Sequence, residues 1–534
     1  MPKVQSSGQI SFSDLKSVFG GPAGTAIPLS NYYSGGSYVA ANTRINDTIG
    51  TYVPTSGQIS LTSFYSANTT QGDGWKYALY RLNIDRRFHT LTKMLRDTSG
   101  FLYLIGTTTI RNGSSFIITK INPSDYSIVW SRTFGNDSGE VCYDACIDSA
   151  DNIILVGKFG AGSSYTVVGQ DIQDSALIVK YNSSGVLQWS TRFGGMWNDE
   201  FWSVTTDGTN NIYVGGRSQS IEGSTTSRSF SGAQSIIVKY NSSGTLQWQR
   251  SLTLGSGTGE IIEGICFSTG SGLLHVYLDG VNFSGTLLAQ YNSSGVLQWQ
   301  KRIAGTQDMK AKQIVPNSVG GVYLTAYASF ETAGAGGQDI LLFNINSSGN
   351  VIWARFVGGT GTEWPYALNS DASFSNIYIT GQTTSQPYGT YDGMVIKYNS
   401  SGVLQWVTAG GTAQTSTLGT YESFYSAEVV NDYIYVGAQM VQFPNTASAN
   451  IAYGIHKFDP SLTLTSIRPP TAGSLLYDGQ SLFRKSFQDA NAVSSYTVTN
   501  GAFTDYARTL EINSVSATER AAPNAATIST GSIF

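Results

Sequence analysis

One short phrase recurs along the chain and constrains its fold more than any other feature. Lys-Tyr-Asn-Ser-Ser-Gly-Val-Leu-Gln-Trp stands twice without change, and other copies vary it. The six copies are Lys120–Trp130, Lys180–Trp189, Lys239–Trp248, Gln290–Trp299, Phe343–Trp353 and Lys397–Trp406. Their tryptophans follow one another at intervals of 59, 59, 51, 54 and 53 residues. A period of about 50 residues indicates a repeat architecture with one small structural unit per repeat.

The repeat around residues 200–253 divides into four predicted strands. They are Phe201–Thr206, Asn211–Gly215, Ser235–Tyr240 and Thr245–Leu252, the last of which carries Trp248. An Asn-Ser-Ser-Gly turn joins the third strand to the fourth, with Gly244 placed for a positive φ. Four antiparallel strands form one blade of a β-propeller, so the sequence predicts an all-β protein.

The number of repeats predicts the number of blades. The second strand recurs seven times, at Phe101–Gly106, Asn152–Gly157, Asn211–Gly215, Leu273–Leu278, Gly321–Ala326, Asn376–Gly381 and Asp432–Gly437. The hairpin of the third and fourth strands recurs eight times, counting degenerate copies at Ala78–Leu91 and Ala452–Arg468. This predicts a seven-bladed propeller over residues 75–470, with the spare hairpin tying the first blade to the last. An eight-bladed ring that lacks one inner pair is the alternative.

Composition limits the classes of partner and cofactor that the chain could bind. Only 12% of the 534 residues are charged, and the net charge of −4 comes without a basic run, which argues against nucleic acid as a partner. No segment approaches the ~20 apolar residues of a membrane span, and the first residues lack the apolar core of a secretory signal. Three cysteines and three histidines, with no metal-ligand spacing, predict neither a metal site nor a cofactor.

The repeats resemble the bacterial propeller repeats known as the SBBP family. That family carries Gly-Gly-x-x-x-Asp/Glu before the inner strand and a Lys-Tyr-x-x-x-Gly hairpin after it, and both patterns occur here over residues 75–470. The resemblance implies the propeller fold and little about activity, because propellers host many functions.

Residues 1–74 follow a different pattern, repeated three times as Ile10–Leu15, Ile27–Tyr32 and Ile59–Phe64. In the first copy, Ser11 can cap a short helix in which Ile10 contacts Leu15. Such short helices are marginally stable alone, so the segment is expected to need a partner surface. The candidate docking residues are Ile10, Leu15, Ile27, Tyr32, Ile59 and Phe64.

The same segment is similar to the N-terminal module of virion structural proteins of tailed bacteriophages. The matching phrases are Ser-Gly-Gln-Ile-Ser-Phe-Ser-Asp-Leu at 7–15, Ile-Pro-Leu-Ser-Asn-Tyr-Tyr-Ser-Gly-Gly at 27–36, and Val-Pro-Thr-Ser-Gly-Gln-Ile-Ser-Leu-Thr-Ser-Phe-Tyr at 53–65. The resemblance implies an element that docks a variable domain onto tail or baseplate proteins. A bacterial surface protein is the alternative. The remaining residues, 471–534, form a C-terminal tail with two candidate strands (475–482 and 494–498) and an extended arm (521–529).

Carboxylates recur before the innermost strand of most repeats and are candidate ligand groups. They are Glu140, Glu200, Glu260, Glu363 and Glu422, and Lys310 breaks the series. Inner strands line a propeller channel, so these side chains are expected at one channel mouth, where they could bind a cation or ligand amines. The alternative is structural: each glutamate accepts backbone N–H groups from the next blade.

Three tryptophans depart from the repeated position. Trp197, Trp202 and Trp364 precede or begin innermost strands, with Trp197 and Trp364 in the loops beside Glu200 and Glu363. Aromatic faces stack well on sugar rings, so these residues are candidate glycan contacts, with core packing as the alternative.

Taken together, the sequence predicts a tail fibre or adhesin of a tailed bacteriophage, made in the host cytoplasm and located in the virion tail. Residues 1–74 would dock onto other tail or baseplate proteins, and the propeller would bind host polysaccharide; a homo-oligomer is compatible with this role. No catalytic motif occurs, so the expectation is a protein without enzymatic activity. The alternatives are a purely structural virion protein and a polysaccharide depolymerase, since glycosidase chemistry needs only two carboxylates.

Overall fold

The computed structural model describes most of residues 88–458 and four short strands beyond them. The ranges left out within 88–458 are 111–112, 125–127, 136–138, 161–165, 168–169, 172–173, 195–196, 220–232, 254–260, 281–282, 305–308, 330–336, 359–360, 385–390, 411–421, 431–432 and 443–449. The described part of the tail comprises 502–505, 508–514, 518–521 and 527–528. The docking residues predicted within 1–74 lie outside the described residues, as do the tail strands predicted at 475–482 and 494–498.

Six sheets each contain four antiparallel strands that follow one another in up-and-down order, and three of these sheets gain further strands from the C-terminal tail. We number the six sets of four strands as blades 1–6 along the chain. The strands are β1 (Phe88–Arg96), β2 (Leu102–Ile110), β3 (Gly113–Ile121) and β4 (Ile128–Phe134) in blade 1; β5 (Val141–Ile147), β6 (Ile153–Phe159), β9 (Ser175–Tyr181) and β10 (Leu187–Phe193) in blade 2; β11 (Asp199–Thr206), β12 (Ile212–Ser218), β13 (Gln234–Tyr240) and β14 (Leu246–Thr253) in blade 3; β15 (Ile261–Ser268), β16 (Leu273–Gly280), β17 (Phe283–Asn292) and β18 (Leu297–Ala304) in blade 4; β19 (Met309–Pro316), β20 (Val322–Ser329), β21 (Gln338–Ile345) and β22 (Val351–Val357) in blade 5; and β23 (Glu363–Ser370), β24 (Asn376–Thr383), β25 (Asp392–Asn399) and β26 (Leu404–Gly410) in blade 6. β7 (Thr166–Val167) and β8 (Gln170–Asp171) pair with each other between β6 and β9.

A further sheet, which we call sheet 7, has three described strands. They are β27 (Glu422–Val430), β28 (Tyr433–Gln442) and β29 (Asn450–Phe458). The all-β prediction and six of the seven predicted blades are thus confirmed, and all seven predicted second strands form. One assignment was wrong: Phe88–Leu91 does not belong to an outer hairpin but to β1, the innermost strand of blade 1. Its apolar alternation had been read as a degenerate hairpin.

The turn between the third and fourth strands shows why the repeated phrase folds as it does. In blade 3 the side-chain Oδ1 of Asn241 accepts hydrogen bonds from the backbone N–H groups of Ser243 (3.1 Å) and Thr245 (2.8 Å). Gly244 follows with a φ of +82°, which a residue with a side chain adopts only at a cost. The Asn-Ser-Ser-Gly phrase therefore encodes a tight turn.

The core lies between neighbouring sheets. The third-strand residues Ile178 of blade 2 and Val238 of blade 3 belong to one buried cluster with Phe193 and Phe201, whose ring centroids are 5.5 Å apart. β-Branched and aromatic side chains suit such two-sided burial, and each buried side chain of this size contributes about 1.5–3 kcal/mol. Neighbouring blades are thus held together by apolar side chains that both of them bury.

Repeated tryptophans connect consecutive blades at the outer rim. The ring of Trp248 covers Gly295 of the next blade, where an added Cβ would lie 2.9 Å from the indole, and its Nε1–H donates to the carbonyl of Ser293 (3.2 Å). The pairs are Trp130 on Gly185, Trp189 on Gly244, Trp248 on Gly295, Trp299 on Gly349 and Trp353 on Gly402. The repeated tryptophans therefore pack between consecutive blades.

The seven first strands contact one another in succession, and β27 of sheet 7 also contacts β1. The backbone N–H of Met94 donates to Ser426 Oγ at 3.0 Å, and Leu91 and Tyr435 share a buried cluster. Sheet 7 therefore packs against blade 1, as it packs against blade 6 through Phe424 and Trp406.

Short strands of the C-terminal tail pair with the outer strands of three blades. β31 (Arg508–Ser514) pairs with β18 and with β30 (Ala502–Asp505), β32 (Thr518–Ala521) with β14, and β33 (Thr527–Ile528) with β10. The described residues include no helix, hence none that could cross a membrane.

Candidate functional site

Each first strand carries a β-bulge at the same point, and the bulged residues form the candidate site. The register against the second strand slips there, so one residue has no partner on that strand. We call these seven the axial residues: Thr92, Tyr143, Trp202, Glu263, Lys312, Tyr366 and Tyr425. A bulge redirects a side chain out of the regular pleat, here at the edge of the sheet that faces the propeller axis.

Exposure separates the axial residues from their neighbours. The residue before each bulge is buried in all seven sheets: Leu91, Cys142, Phe201, Ile262, Ala311, Pro365 and Phe424. The axial residue is half-buried in six sheets, and Lys312 of blade 5 is exposed. The bulge therefore places one accessible side chain per sheet directly after a buried one.

Blades 2 and 3 contribute an aromatic pair with a charged pair beside it. The rings of Tyr143 and Trp202 stack with centroids 4.6 Å apart and planes 8° apart. The indole Nε1–H of Trp202 donates to Glu200 Oε2 (2.8 Å), and the same oxygen forms a salt bridge with Arg217 at 2.9 Å. Arg217 in turn lies 5.9 Å from the Trp202 ring. Three side chains thus fix the orientation of one indole.

The Tyr143 hydroxyl is a hydrogen-bond donor at neutral pH. Burial, with the charge of Glu200 adding to it, raises the pKa of Tyr143 well above its usual range, while Arg217 acts in the opposite direction. A protonated phenol beside an aromatic face and a guanidinium offers both stacking and hydrogen bonding to a polyhydroxylated ligand.

Blades 4 to 6 and sheet 7 form a second sector with more charge. The rings of Tyr366 and Tyr425 lie 4.7 Å apart. Burial raises the pKa of Tyr366, and the neighbouring tyrosine Tyr425 adds to the increase. Lys312 Nζ lies 5.4 Å from the ring of Tyr327. Burial raises the pKa of the axial Glu263, and the positive charge of Lys312 acts to lower it. Aromatic and cationic groups are therefore adjacent in this sector.

Trp364 joins this second sector and has structural contacts too. The prediction that it lies in a loop was wrong: it is the second residue of β23. Its Nε1–H donates to Gln338 Oε1 of blade 5, and its ring stacks on Tyr391 at 5.8 Å. The side chain is partly exposed, so Trp364 both packs and presents a face.

The prediction of an acidic channel mouth was wrong for two of its five glutamates. Glu140 and Glu363 are 0% exposed, so neither lines a solvent-filled channel. Thr383 Oγ1 donates to Glu363 Oε1 at 2.6 Å within the same blade. A Cβ on Gly135 would lie 2.7 Å from Glu140 Oε2, which explains the glycine five residues before the acid. These carboxylates are structural.

In blade 3 the counterpart of Glu140 is Asp199, not Glu200. Asp199 is 0% exposed, lies three residues before its bulge as Glu140 does, and packs against Gly194. Glu200 is shifted by one residue along the strand, and this shift brings it to Trp202 and Arg217. Spacing in the sequence alone did not separate the two acids because they are adjacent.

The structure shows where side chains accept backbone N–H groups from the next blade. The residue after the bulge does so: Asp144 Oδ2 accepts the backbone N–H of Val204 (3.1 Å), and Ser203 Oγ accepts that of Ile265 (3.2 Å). Gln313 Oε1 accepts the N–H of Leu368 in the same way (2.8 Å). The side chain after the bulge therefore connects one first strand to the backbone of the next.

The remaining candidates are less informative. Trp197 lies two residues before β11 and is half-buried. Glu422 begins β27, but its side chain is not described, and Glu260 lies outside the described residues. Among the residues that the structure describes, no group of three or more His, Cys, Asp or Glu side chains could hold a metal ion.

Sequence reasoning identified Trp202 and missed the other axial aromatic residues, Tyr143, Tyr366 and Tyr425. Each of these lies three residues after a glutamate that the sequence had singled out. An alignment of the repeats on the buried acid would have placed four aromatic residues at one repeated position. Their bulge, however, cannot be read from residue types.

Comparison with known proteins adds the fold only. No protein-family profile matches the chain, and no curated protein matches it. Similar solved structures include Kuenenia stuttgartiensis hydrazine synthase (10% identity, TM-score 0.43, 70% of this chain and 99% of that chain) and the polysaccharide lyase Uly1 (10%, 0.41, 73% and 96%). Sqt1 from Chaetomium thermophilum is another (9%, 0.38, 72% and 91%). At these identities and TM-scores, the similarities carry no argument about function.

Proposed function

We propose that this protein is a host-recognition protein of a bacteriophage tail, with a seven-bladed propeller that binds surface polysaccharide at its axis. The observation that carries the proposal is the ring of axial residues, four of which are aromatic. Aromatic faces next to hydrogen-bonding groups suit sugars, which present both C–H faces and hydroxyls.

Sheet 7 would complete the ring as the seventh blade. Its contact with blade 1 through Met94 and Ser426 supports closure, as does its own bulge at Tyr425. Its fourth strand would come from the residues after Phe458 or from those before Phe88. Closure would leave no open sheet edge next to the axis.

The virion role rests on the motifs of residues 1–74 described above. That segment would dock onto tail or baseplate proteins, and the propeller would project toward the host. The absence of an assembled pair of accessible carboxylates among the described axial residues favours binding over glycosidic cleavage: Glu263 is the single acid in that ring.

Deletion of residues 75–470 from the virion protein separates the three candidate functions. We expect particles that assemble normally but no longer adsorb to the host. Failure of particle assembly would favour the structural role. Release of reducing sugar ends from host polysaccharide by the intact purified protein would favour the depolymerase.

A further inference from the structure

We propose that the axis between blades 5 and 6 binds an acidic sugar, with Lys310 and Lys312 holding its carboxylate and Trp364 and Tyr366 covering its ring. This inference rests on the proposed sugar-binding function and adds the charge class of the sugar. The two lysines and the two aromatic residues occupy the same two strand positions in neighbouring blades, the bulge and the residue two before it.

The two lysines are side by side and accessible. Both are exposed, while Ala311 between them is buried, so both side chains leave the strand on the same side of the sheet. Met309, which precedes them, is 1% exposed and occupies the position where blades 2, 3 and 6 have a buried acid. Blade 5 therefore has an apolar side chain where those three blades have a buried carboxylate.

Other cations near the axis already have ionic partners. Lys93 pairs with Asp144 (3.1 Å), Arg217 with Glu200 (2.9 Å) and Lys158 with Asp174 (2.7 Å). Among the described residues, neither Lys310 nor Lys312 forms a salt bridge. Burial raises the pKa of Glu263 on blade 4, and the charges of Lys310 and Lys312 act to lower it. Two exposed lysines that form no salt bridge with the described residues are thus available to an acidic ligand.

The aromatic half of the subsite faces the lysines across the gap between the blades. Trp364 reaches blade 5, where its indole donates to Gln338, and Tyr366 is close enough to Tyr327 of blade 5 for that phenol to raise its pKa. A sugar in this gap would contact aromatic faces on one side and ammonium groups on the other. A uronic acid, which has an apolar ring face and one carboxylate, matches both surfaces.

The test compares one probe with its neutral counterpart. Binding of the full-length protein to an oligogalacturonate hexamer, and to the same hexamer with its carboxyl groups reduced to alcohols, is measured by calorimetry at low and at moderate salt. The variant is Lys310→Gln/Lys312→Gln. The control is Lys158→Gln/Lys301→Gln, which also removes two positive charges but at residues with protein partners.

We expect the wild type to prefer the acidic hexamer by about 10-fold or more, a preference of about 1.4 kcal/mol or more that weakens as salt rises. The Lys310/Lys312 variant should lose that preference, and the control variant should keep it. Equal binding of both hexamers by the wild type would overturn the acidic subsite while leaving sugar binding intact. Binding of neither hexamer would also overturn it, and the adsorption experiment above would then decide the proposed function independently.

Discussion

The outer rim and the axial wall are built from the same repeat, yet they differ in what the repeat holds constant. At the rim, five tryptophans occupy one position and cover five glycines of the following blades. At the axis, the equivalent position holds threonine, tryptophan, tyrosine, glutamate or lysine. Rim side chains must fit a neighbouring backbone within about 3 Å, whereas axial side chains meet solvent on one side. Packing against the next blade therefore constrains the residue type at the rim, whereas the axial position admits many residue types.

Removal of a rim tryptophan should give the largest loss of stability. Trp353 is 7% exposed, covers Gly402 and donates to the carbonyl of Ser400 (3.2 Å). Trp353→Ala should lower the free energy of unfolding by about 3–5 kcal/mol, measured by urea denaturation. Trp353→Phe, which keeps an aromatic ring but loses the hydrogen bond, should cost clearly less. An equal loss in both variants would mean that the hydrogen bond, and not the packing, connects the blades.

The glycine that a rim tryptophan covers provides a second test of packing at the rim. Gly295 has a φ of +75°, and an added Cβ would lie 2.9 Å from the Trp248 ring, so Gly295→Ala should cost about 2–3 kcal/mol. The control is Gly208→Ala, because no atom lies within 4 Å of a Cβ added there. If the two variants melt at the same temperature, rim packing does not limit the repeat.

The buried acid Asp392 belongs neither to the rim nor to the axial wall, and it should make the stability of the protein depend on pH. Asp392 is 1% exposed, neither carboxylate oxygen accepts a hydrogen bond from the described residues, and burial raises its pKa from 3.8 to about 7. The carboxyl is then neutral in the folded state but ionised in the unfolded state between these values. Stability therefore falls as pH rises from about 4 to 7, and the full penalty persists above pH 7.

Asp392→Asn removes this penalty, so the variant should exceed the wild type by about 1–2 kcal/mol at pH 8 and lose the advantage near pH 4. The gain is partial because the amide is also a buried polar group. Asp207→Asn is the contrasting variant. Burial acts to raise the Asp207 pKa, but hydrogen bonds from Asn211 and Thr209 outweigh it and lower the pKa. That substitution should destabilise at pH 8, and a gain there would contradict the account.

The axial tryptophan should matter least for folding. Trp202→Ala removes the stack on Tyr143 and one hydrogen bond to Glu200, but its side chain is half exposed. We expect a loss of about 1 kcal/mol, measured under the same conditions as Trp353→Ala. A loss as large as that of the rim variant would erase the distinction between the two regions.

Much of the fold could be predicted from the sequence because packing at the rim requires the same residues in each repeat. The Asn-Ser-Ser-Gly turn and the following tryptophan recur for one steric reason, so strands and blades could be counted from them. At the axis the residue type changes from blade to blade, so no sequence phrase recurs there. The bulge at Trp202 is a backbone event, and Asp199 and Glu200 differ in role although both are acids next to each other in the sequence. Position relative to the bulge decides which acid is buried against Gly194 and which one meets Arg217.

Binding to a glycan array tests most directly whether the propeller axis binds sugars. The full-length wild type and the variant Trp202→Ala/Tyr366→Ala are compared on an array of bacterial surface polysaccharides, with thermal melting of both recorded in parallel. We predict that the wild type binds a subset of the glycans, and that the variant loses at least about 10-fold in affinity for them while remaining folded at the assay temperature. A wild type that binds no glycan, or a folded variant that binds them as tightly as the wild type, would contradict the account.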